Sequence, residues 1–516
     1  MVIELSEKKK FFVTTPIYYV NDVPSIGHAY TTFAADALAR FHRLRGDDVF
    51  FLTGLDENST KTVQAAKTKG AEGRPAIQSY ADEMAVKWRG AWRALAISFD
   101  GFIRTTEPRH AAVVNGFYAR VKQRGDVYKG VYEGLYCEGC EAFVSENDLA
   151  DGKCPLHKTE PKRLKEENYF FKLTKYADAV LKHIEANPDF IKPETRRNEV
   201  VSFIKAGLKD VSVSRPNAGW GIPLPDDDSQ CFWVWFDALL NYVSGAPNGE
   251  WPADVHLMAK DILRFHCVIW PAMLLSAEMP LPKTIVAHGF LTVNGQKMSK
   301  SLGNAIDPIA LSKKYSIDAL RYFLFREISF GSDGDFSEKG LVERNDAELA
   351  NAFGNFAYRS LSFINSKTDS LVPEIAEASL KPQDEEFAEK TKALAGVVGK
   401  EFEACELKSA VDAAMSFADE CNRFFNARAP WALFKGSGAA PVEARNVLAL
   451  SAQASYALAL ALAPITPAAS KRVFDCFGVT KPVWGDLSPA QSGARLAKPV
   501  IVVPKLALDE KKTKLA

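Results

Sequence analysis

Two cations and two hydroxyls lie together in one short stretch of the sequence, Lys297-Met298-Ser299-Lys300-Ser301. The stretch follows Asn294-Gly295, a pair that is typical of turns. A loop of this composition can close over the phosphates of a nucleotide and stabilise the charge that develops there in a transition state. Because a pentapeptide remains a hypothesis until its context agrees, a second nucleotide-binding feature is needed.

A candidate for that second feature lies near the N-terminus, at Pro24-Ser25-Ile26-Gly27-His28. Apolar residues at helical spacing predict a helix from about Ile26 to Leu44, so the motif lies at a helix start. Gly27 lets a nucleotide approach the backbone, and His28 can donate a hydrogen bond to phosphate or ribose oxygens. The alternative is that His28 only caps the helix; the lysine-rich stretch favours the nucleotide role.

The elements around these motifs predict an α/β fold. Phe11–Thr14 and Val49–Leu52 are predicted strands on either side of the helix, with a loop expected through Pro16. The α/β pattern resumes at Cys231–Leu240, and Thr284–Ala287 is the expected last strand before the lysine loop. Strands that alternate with helices indicate a doubly wound parallel sheet of the Rossmann type, which binds ligands beyond the carboxyl ends of its strands.

The chain divides into six regions on the same evidence. From about residue 345 onward the sequence becomes helical, with long apolar-periodic stretches that predict an all-α bundle. The expected regions are two halves of the Rossmann-type domain at 1–118 and 231–292, an insertion at 119–230, the lysine loop and a contact region at 293–345, the bundle at 346–490 and a frayed, solvated tail at 491–516.

A cysteine cluster in the insertion has metal-ligand spacing. Cys137 and Cys140 are separated by two residues, and so are Cys154 and His157. Three thiolates and an imidazole in two such arms favour a closed tetrahedral site for one structural Zn²⁺. The alternative is a set of free buried cysteines.

Composition excludes several classes of protein. Lys+Arg and Asp+Glu each number 64, so a protein that holds nucleic acid by bulk positive charge is not expected. There is no apolar run long enough for a membrane span, and the first ten residues do not form a secretory or transit signal. Scattered cysteines without a disulfide pattern favour the reducing cytoplasm.

The two nucleotide motifs resemble the HIGH and KMSKS signatures of class I aminoacyl-tRNA synthetases, and the intervening sequence narrows the resemblance to the methionyl-tRNA synthetases over nearly the whole chain. The resemblance implies a methionine–tRNA ligase with a single zinc knuckle, without the extra C-terminal tRNA-binding module, and therefore a monomer. Its substrates would be ATP with Mg²⁺, L-methionine and tRNA(Met), joined through a methionyl-adenylate.

The resemblance also assigns residues to these substrates. Segment matches at Thr15–Tyr19, Val234–Ala238 and Lys260–Ile262 carry the assignment. Catalysis is implied for Lys297, Lys300 and His28, and ATP binding for these three with Ser25, Gly27, Lys260 and Asp261. Methionine binding is implied for Ile17, Tyr19, Asp56, Trp235, Ala238, Tyr242, Phe265 and His266, with Asp56 accepting the ammonium group. Anticodon binding is implied for Asn355, Arg359 and Trp431, with Trp431 stacking on a base.

Three departures from the family pattern surround the ATP subsite. Ser25 replaces the first histidine of HIGH, Asn58-Ser59 replaces a more usual His-Gly, and Ala259 replaces a glycine. We expect a shifted or weakened ATP site rather than an inactive one, since Gly27, His28 and the motif lysines remain. A catalytically weak or silent tRNA-binding paralogue and a sister class Ia synthetase, such as the cysteine enzyme, are the alternatives.

Overall fold

The computed structural model describes residues 8–144, 146, 149–155, 158–293, 295–298, 306–434 and 441–507. A six-stranded parallel sheet lies at the centre of the part that precedes the helical bundle, which is called the catalytic half below. The strands of the chain are β1 Lys10–Tyr19, β2 Asp48–Asp56, β3 Gly101–Arg104, β4 Val127–Cys137, β5 Ala142–Val144, β6 Lys162–Phe171, β7 Ile191–Lys192, β8 Val211–Ser212, β9 Ser214–Pro216, β10 Pro223–Leu224, β11 Asp227–Phe232, β12 Val255–Ala259, β13 Thr284–His288, β14 Leu291–Val293, β15 Gln296–Lys297 and β16 Gly334–Phe336. The sheet order is β3-β2-β1-β12-β13-β7, which places the topological switch point between β1 and β12.

Helices cover this sheet and then form a bundle of their own. Around the sheet lie α1 Ile26–Leu44, α2 Thr60–Thr68, α3 Gly73–Ala94, α4 Pro108–Gln123, α5 Ala177–Ala186, α6 Glu194–Lys205, α7 Val234–Leu239, α8 Asn241–Ser244 and α9 Trp270–Ser276. The later helices are α10 Pro308–Lys314, α11 Ile317–Glu327, α12 Glu338–Arg344, α13 Asn355–Lys367, α14 Pro382–Glu403, α15 Leu407–Arg428, α16 Pro430–Leu433, α17 Val442–Leu462 and α18 Pro467–Cys476, with a π-helix at Asn345–Gly354. From α13 onward they form the bundle, in which α17 is buried along almost its whole length.

The structure confirms the predicted helix at Ile26–Leu44 and the last strand at Thr284. The loop predicted through Pro16 is wrong, because β1 continues to Tyr19. The pairing of β1 with β2 shifts register between Thr14 and Ile17. Proline is tolerated in a strand at such an irregularity, where its missing N–H costs no ladder bond.

The insertion is less separate than the sequence predicts. Its main sheet has the order β5-β4-β6-β8, but β7 leaves it and pairs with β13 as the edge strand of the central sheet. A short strand at Ile191–Lys192 carries no periodic pattern of its own, since two residues cannot show an alternation. The insertion therefore contributes one of its strands, β7, to the central sheet.

The frayed tail predicted at 491–516 is wrong for residues 491–507, which pack on the bundle. Leu496 and Val502 are buried, and the backbone N–H of Leu506 donates to the Asp346 carboxylate at 2.9 Å. Burial of these apolar side chains offsets the entropy of ordering the segment. The charged end, 508–516, lies outside the described residues. In the described part of the chain, no helix has the length and apolar character that crossing a membrane requires.

Candidate functional site

The carboxyl ends of β1 and β2 bring Tyr19 and Asp56 together as register partners. Asp56 is 4% exposed, and its Oδ1 atom has no hydrogen-bond partner among the described residues. Burial, followed by the charges of Asp237 and Glu141, raises the pKa of Asp56 well above its ordinary value. A buried carboxylate oxygen of this kind is stabilised when a cation reaches it.

Asp237, whose charge acts on Asp56, lies on α7 two residues after Trp235, and this helix carries part of an aromatic wall. Trp235 and Phe265 are stacked with their ring centroids 3.8 Å apart and an interplanar angle of 3°. The Tyr242 hydroxyl is 2.7 Å from Nε2 of His266, and burial lowers the pKa of His266 to about 4, so its ring is neutral. Tyr19, Asp56, Trp235, Phe265 and His266 are called the aromatic pocket below.

Two further residues predicted to bind the amino acid, Ile17 and Ala238, lie on the same elements. Ile17 is two residues before Tyr19 on β1, so both side chains point to the same face of the sheet. Ala238 is buried on α7, the short helix that also carries Trp235. A wall of aromatic and aliphatic side chains with one buried anion fits an amino acid that has an apolar side chain.

The start of α1 presents the first nucleotide motif. The backbone N–H of Ser25 donates to Nδ1 of His28 at 3.0 Å, which leaves the proton of the neutral ring on Nε2. His28 is half-buried, with its edge against Tyr18 and Trp88 at ring-centroid distances of 5.0 and 5.3 Å. A methyl group built on Gly27 would meet no protein atom closer than 3.8 Å, so packing within the described residues does not require glycine there.

The ends of β12 and β13 form the other side of the switch point. Lys260 follows β12 and forms a 2.6 Å ion pair with Asp333, while Asp261 is exposed in the same turn. His288 ends β13 and lies 2.6 Å from the Thr31 hydroxyl of α1. Gly295, at φ +71°, makes the predicted turn between β14 and β15, and the backbone of Lys297 pairs with Thr292. Lys300 lies outside the described residues.

The cysteine cluster forms as the spacing predicts. The sulfur atoms of Cys137, Cys140 and Cys154 all lie within 4.8 Å of one another, and His157 lies outside the described residues. Burial and the neighbouring thiols raise the pKa of Cys140 far above its ordinary value. Three soft, converging sulfurs fit a zinc ion, whose charge would hold them as thiolates.

The residues predicted to bind the anticodon form an exposed patch on the bundle, called the Trp431 patch below. Asn355 and Arg359 lie one turn apart on α13, and Trp431 is the second residue of α16, directly after Pro430. The Arg359 guanidinium lies 5.5 Å from the centroid of the Trp431 ring, which is packed edge-on against Phe425 at 5.7 Å. Trp431 is 41% exposed, so part of its ring is accessible to a ligand.

Comparisons with known proteins show which family the chain is similar to. A family model described as tRNA synthetases class I (M) matches residues 11–163 and 138–361. The methionine–tRNA ligase of Thermotoga maritima is 44% identical over 90% of this chain and 75% of its own length. That of Rickettsia conorii is 41% identical over 96% and 99%.

Among solved structures, Mycobacterium tuberculosis methionyl-tRNA synthetase in complex with methionyl-adenylate superposes with a TM-score of 0.91, at 38% identity, over 96% of this chain and 100% of that one. The chain belongs to the methionine–tRNA ligase family. Membership of this family favours a methionine–tRNA ligase over a class Ia synthetase for another amino acid and over a catalytically silent tRNA-binding paralogue. The reaction class is the joining of methionine to tRNA with ATP.

One of the three departures from the family pattern, Asn58-Ser59, forms hydrogen bonds that hold a turn of the protein. The Asn58 side chain donates to Asp237 at 2.9 Å and to the Thr105 carbonyl at 3.2 Å. Ser59 caps α2 by accepting from the N–H of Lys61 at 3.0 Å. Both side chains are thus engaged in holding the turn after β2, whereas Ser25 lies at the nucleotide motif itself.

Sequence reasoning missed Glu141, which directly follows Cys140. Its Oε1 atom accepts hydrogen bonds from the Ser59 hydroxyl at 2.9 Å, the Thr60 N–H at 2.9 Å and the Thr60 hydroxyl at 2.6 Å. Its carbonyl oxygen accepts from Nε1 of Trp233 at 2.7 Å. Glu141 therefore joins the cysteine cluster to α2 and to the start of α7. Its place beside a metal-ligand motif was the only signal in the sequence.

Sequence reasoning also missed a buried carboxylate–histidine pair behind the pocket. Asp237 accepts from Nε2 of His110 at 3.3 Å, and Nδ1 of His110 is 2.8 Å from the Ser244 hydroxyl. Both Asp237 and His110 are fully buried. Asp237 lies inside the Val234–Ala238 match, but nothing in the sequence pairs it with His110, which is more than a hundred residues away.

Proposed function

We propose that the aromatic pocket and the α1 motif are the site where this chain forms methionyl-adenylate from methionine and MgATP. The observation that carries the proposal is the buried Oδ1 of Asp56 at the carboxyl end of β2, which has no hydrogen-bond partner among the described residues. The Trp235–Phe265 stack supplies the aromatic surface of the pocket. Asp56 holds the substrate ammonium, and Ile17, Tyr19, Trp235, Ala238, Tyr242, Phe265 and His266 surround the thioether side chain.

The nucleotide lies across the start of α1 in this proposal. The methionine carboxylate attacks the α-phosphate, and pyrophosphate leaves. His28 donates from Nε2, Gly27 admits the phosphates, and Lys297 and Lys300 supply positive charge to the pentavalent phosphorus. Ser25, Lys260 and Asp261 complete the subsite, with Asp261 on the ribose. Mg²⁺ bound to the ATP would neutralise charge on the phosphates. Catalysis is therefore positioning and electrostatic stabilisation, and it requires no protein nucleophile.

ATP–pyrophosphate exchange tests this site, with methionine, cysteine, valine, isoleucine and leucine supplied separately. Exchange with methionine alone is the expected result. Exchange with another amino acid would assign the pocket to a sister specificity. If folded, zinc-loaded protein shows no exchange with any of the five, the adenylation proposal is wrong.

The metal of the cysteine cluster is zinc in this proposal, bound by Cys137, Cys140, Cys154 and His157. The ion would supply structure rather than chemistry, because its ligands lie in the loop whose Cys140 carbonyl accepts from Nε1 of Trp235 at 3.4 Å. Elemental analysis of purified protein should give about one zinc per chain, and less than about half an atom would contradict the assignment. Hydrogen exchange of residues 58–62 should rise when the metal is removed, because Glu141 holds that turn.

The Trp431 patch reads the anticodon of tRNA(Met) in this proposal. Trp431 stacks on a base, and the side chains of Asn355 and Arg359 bond to base edges. Replacement of Trp431 by alanine should reduce tRNA charging by about tenfold to a hundredfold, the range expected for loss of one stacked base, and should spare pyrophosphate exchange. Equal losses in both assays would contradict the assignment.

We also propose that the protein acts as a monomer in the cytoplasm. None of the eight cysteines forms a disulfide, which is consistent with a reducing compartment. Light scattering of the purified protein at micromolar concentration tests the monomer, and a mass of twice 56.8 kDa would contradict it.

A further inference from the structure

A fully buried arginine joins three parts of the chain. Arg321 lies on α11, and each nitrogen of its guanidinium donates one hydrogen bond. Nη1 donates to Asp36 of α1 at 2.6 Å, Nε to the Ile465 carbonyl at 2.8 Å and Nη2 to the Pro464 carbonyl at 2.7 Å. The side chains of Arg321 and Asp36 are both 0% exposed. Burial of a guanidinium is costly, and here every nitrogen is satisfied by a different oxygen.

The three parts that meet at Arg321 belong to different functional regions. Asp36 lies on α1, about two turns after His28, on the helix that begins with the nucleotide motif. α10 and α11 follow the lysine loop, and Ile306 just before them accepts from the N–H of Ile26 at 3.2 Å. Pro464 and Ile465 form the corner between α17 and α18, at the end of the central bundle helix.

Both carboxylate oxygens of Asp36 accept hydrogen bonds, from groups of the catalytic half as well as from Arg321. Its Oδ1 accepts from the N–H and hydroxyl of Ser98 at 2.7 and 2.6 Å, and its Oδ2 accepts from Nε of Arg40 at 2.6 Å as well as from Arg321. Arg40 also donates to the Ala96 carbonyl at 2.7 Å. The hydrogen bonds of Arg40 therefore stay within the catalytic half, whereas those of Arg321 connect α1 to the corner at Pro464 and Ile465 in the bundle.

We propose that Arg321 is a positioning residue for the transfer step: it fixes the helix bundle against α1, so that a tRNA held at the Trp431 patch presents its 3′ end at the adenylate site. This inference rests on the proposed function, because it requires the bundle to hold the anticodon. Asp318, one turn earlier on α11, supports the same corner by accepting from the N–H groups of Ala468 and Ala469 at 3.3 and 2.6 Å. Adenylate formation does not need this alignment, since methionine and ATP bind within the catalytic half.

Arg321→Lys and Arg40→Lys form a matched pair of variants in the full, zinc-loaded chain. Both keep a cation beside Asp36, but a single ammonium at position 321 cannot reach Asp36, Pro464 and Ile465 together. Three quantities are measured: pyrophosphate exchange without tRNA, single-turnover transfer from preformed methionyl-adenylate to full-length tRNA(Met), and affinity for an isolated RNA stem–loop that carries the CAU anticodon.

The expected result for Arg321→Lys is a loss of about tenfold or more in transfer, with exchange and stem–loop affinity within about twofold of the parent protein. Arg40→Lys should leave transfer within about twofold. A purely structural role would lower all three quantities together, and that outcome overturns the inference. So does transfer in Arg321→Lys that equals transfer in Arg40→Lys.

Two further variants keep the test decisive. If Arg321→Lys does not yield folded protein, Asp318→Asn tests the same corner more gently. The same split between transfer and exchange supports the inference, and unchanged transfer overturns it. Trp431→Ala separates the two proposals, because it should weaken stem–loop binding directly. If it does not, the anticodon assignment fails, whereas a failure confined to Arg321→Lys and Asp318→Asn leaves that assignment intact.

Discussion

The aromatic pocket contains buried charged groups, whereas the residues of the Trp431 patch are exposed or half-buried. Asp56, Asp237 and Glu141 are all nearly or fully buried, and the charges of the last two raise the pKa of Asp56. In the patch, Asn355 is exposed and Trp431 is 41% exposed. The pocket can therefore bind a small cation through a desolvated charge. The patch instead offers solvent-exposed surface, on which a large ligand can bury surface area when it binds.

The two regions also differ in how their residues are brought together. The pocket takes Tyr19, Asp56, Trp235 and His266 from four separate segments, and its geometry depends on the whole sheet and on the cysteine loop. The patch takes its residues from α13 and α16, where spacing along one helix and a proline already fix their positions. Damage to the pocket should therefore spread further than damage to the patch.

The largest expected effect is at Asp56. Asp56→Asn keeps the shape of the side chain but removes the anion, and a hydrogen bond to a charged group contributes up to about 3 kcal/mol. We expect methionine-dependent pyrophosphate exchange to fall roughly a hundredfold, mainly through a higher KM for methionine. Because charging needs the adenylate, it should fall by the same factor.

The matched comparison is Trp431→Ala, which should lower charging while leaving exchange unchanged. If Asp56→Asn lowers charging but not exchange, the proposed division of roles, with amino-acid binding in the pocket and tRNA binding at the patch, is wrong, and Asp56 does not contact the amino acid.

The sequence predicts the parts of the molecule that depend on short-range pattern. Helix α1 has a continuous apolar stripe and begins at the expected residue, and the Asn355–Arg359 pair needs only the pitch of a helix. The cysteine spacing likewise brings three sulfurs together without knowledge of the rest of the fold. The family resemblance supplied the ligands of the pocket, which periodicity alone would have placed in an ordinary core.

Long-range contacts between polar groups could not be predicted in this way. Nothing local pairs His110 with Asp237, Arg321 with Asp36, or β7 with β13, because each pairing is decided by where separate elements cross. The tail at 491–507 was misjudged for the opposite reason. Its composition suggests solvation, but Leu496 and Val502 find an apolar surface that only the folded bundle provides.

Acid should weaken the catalytic half before the bundle, because all eight histidines lie between residues 28 and 288. His288 accepts from Thr31 at Nε2 and donates from Nδ1 to the Gly289 carbonyl at 2.7 Å. Burial lowers the pKa of His288 to about 4, below its value of about 6.5 in an unfolded chain. The unfolded state therefore binds the proton first, and the stability that depends on neutral His288 is complete above pH 6.5 and is lost as the pH falls toward 4.

The effect of this one residue is about 3 kcal/mol at pH 4 by linkage. His288→Gln can keep both hydrogen bonds but cannot titrate, so its unfolding free energy should fall less steeply between pH 6.5 and 4 than that of the parent protein. Denaturant unfolding at several pH values measures the two slopes. Parallel slopes would show that His288 is already protonated, or already neutral, in both states.

Glu141 tests whether the pocket depends on the cysteine loop. Glu141→Ala leaves the donors of Ser59 and Thr60 without their buried acceptor, a loss of about 1–3 kcal/mol. We expect weaker methionine binding and faster hydrogen exchange at residues 58–62, with zinc content unchanged. Glu138→Ala is the matched control, because Glu138 lies in the same loop but pairs with Lys162 at the surface. Equal effects of the two changes would mean that the loop acts through its charge rather than through the Glu141 contacts.

The smallest expected effect is at Ser25, where the nucleotide motif departs from its family. The Ser25 hydroxyl lies 3.1 Å from Nδ1 of His28, but the backbone N–H of Ser25 bonds to the same nitrogen and survives any substitution except proline. Ser25→His should therefore keep the His28 tautomer, with Nε2 still the donor.

A histidine at this position adds a second donor toward the phosphates, so the KM for ATP should fall severalfold, about 1 kcal/mol. Loss of the serine at the N-cap should lower the unfolding free energy by about 1 kcal/mol. Pyrophosphate exchange over a range of ATP concentrations measures the first effect and denaturant unfolding the second. An unchanged KM and turnover would mean that Ser25 costs the ATP site nothing, and that the motif needs only Gly27 and His28.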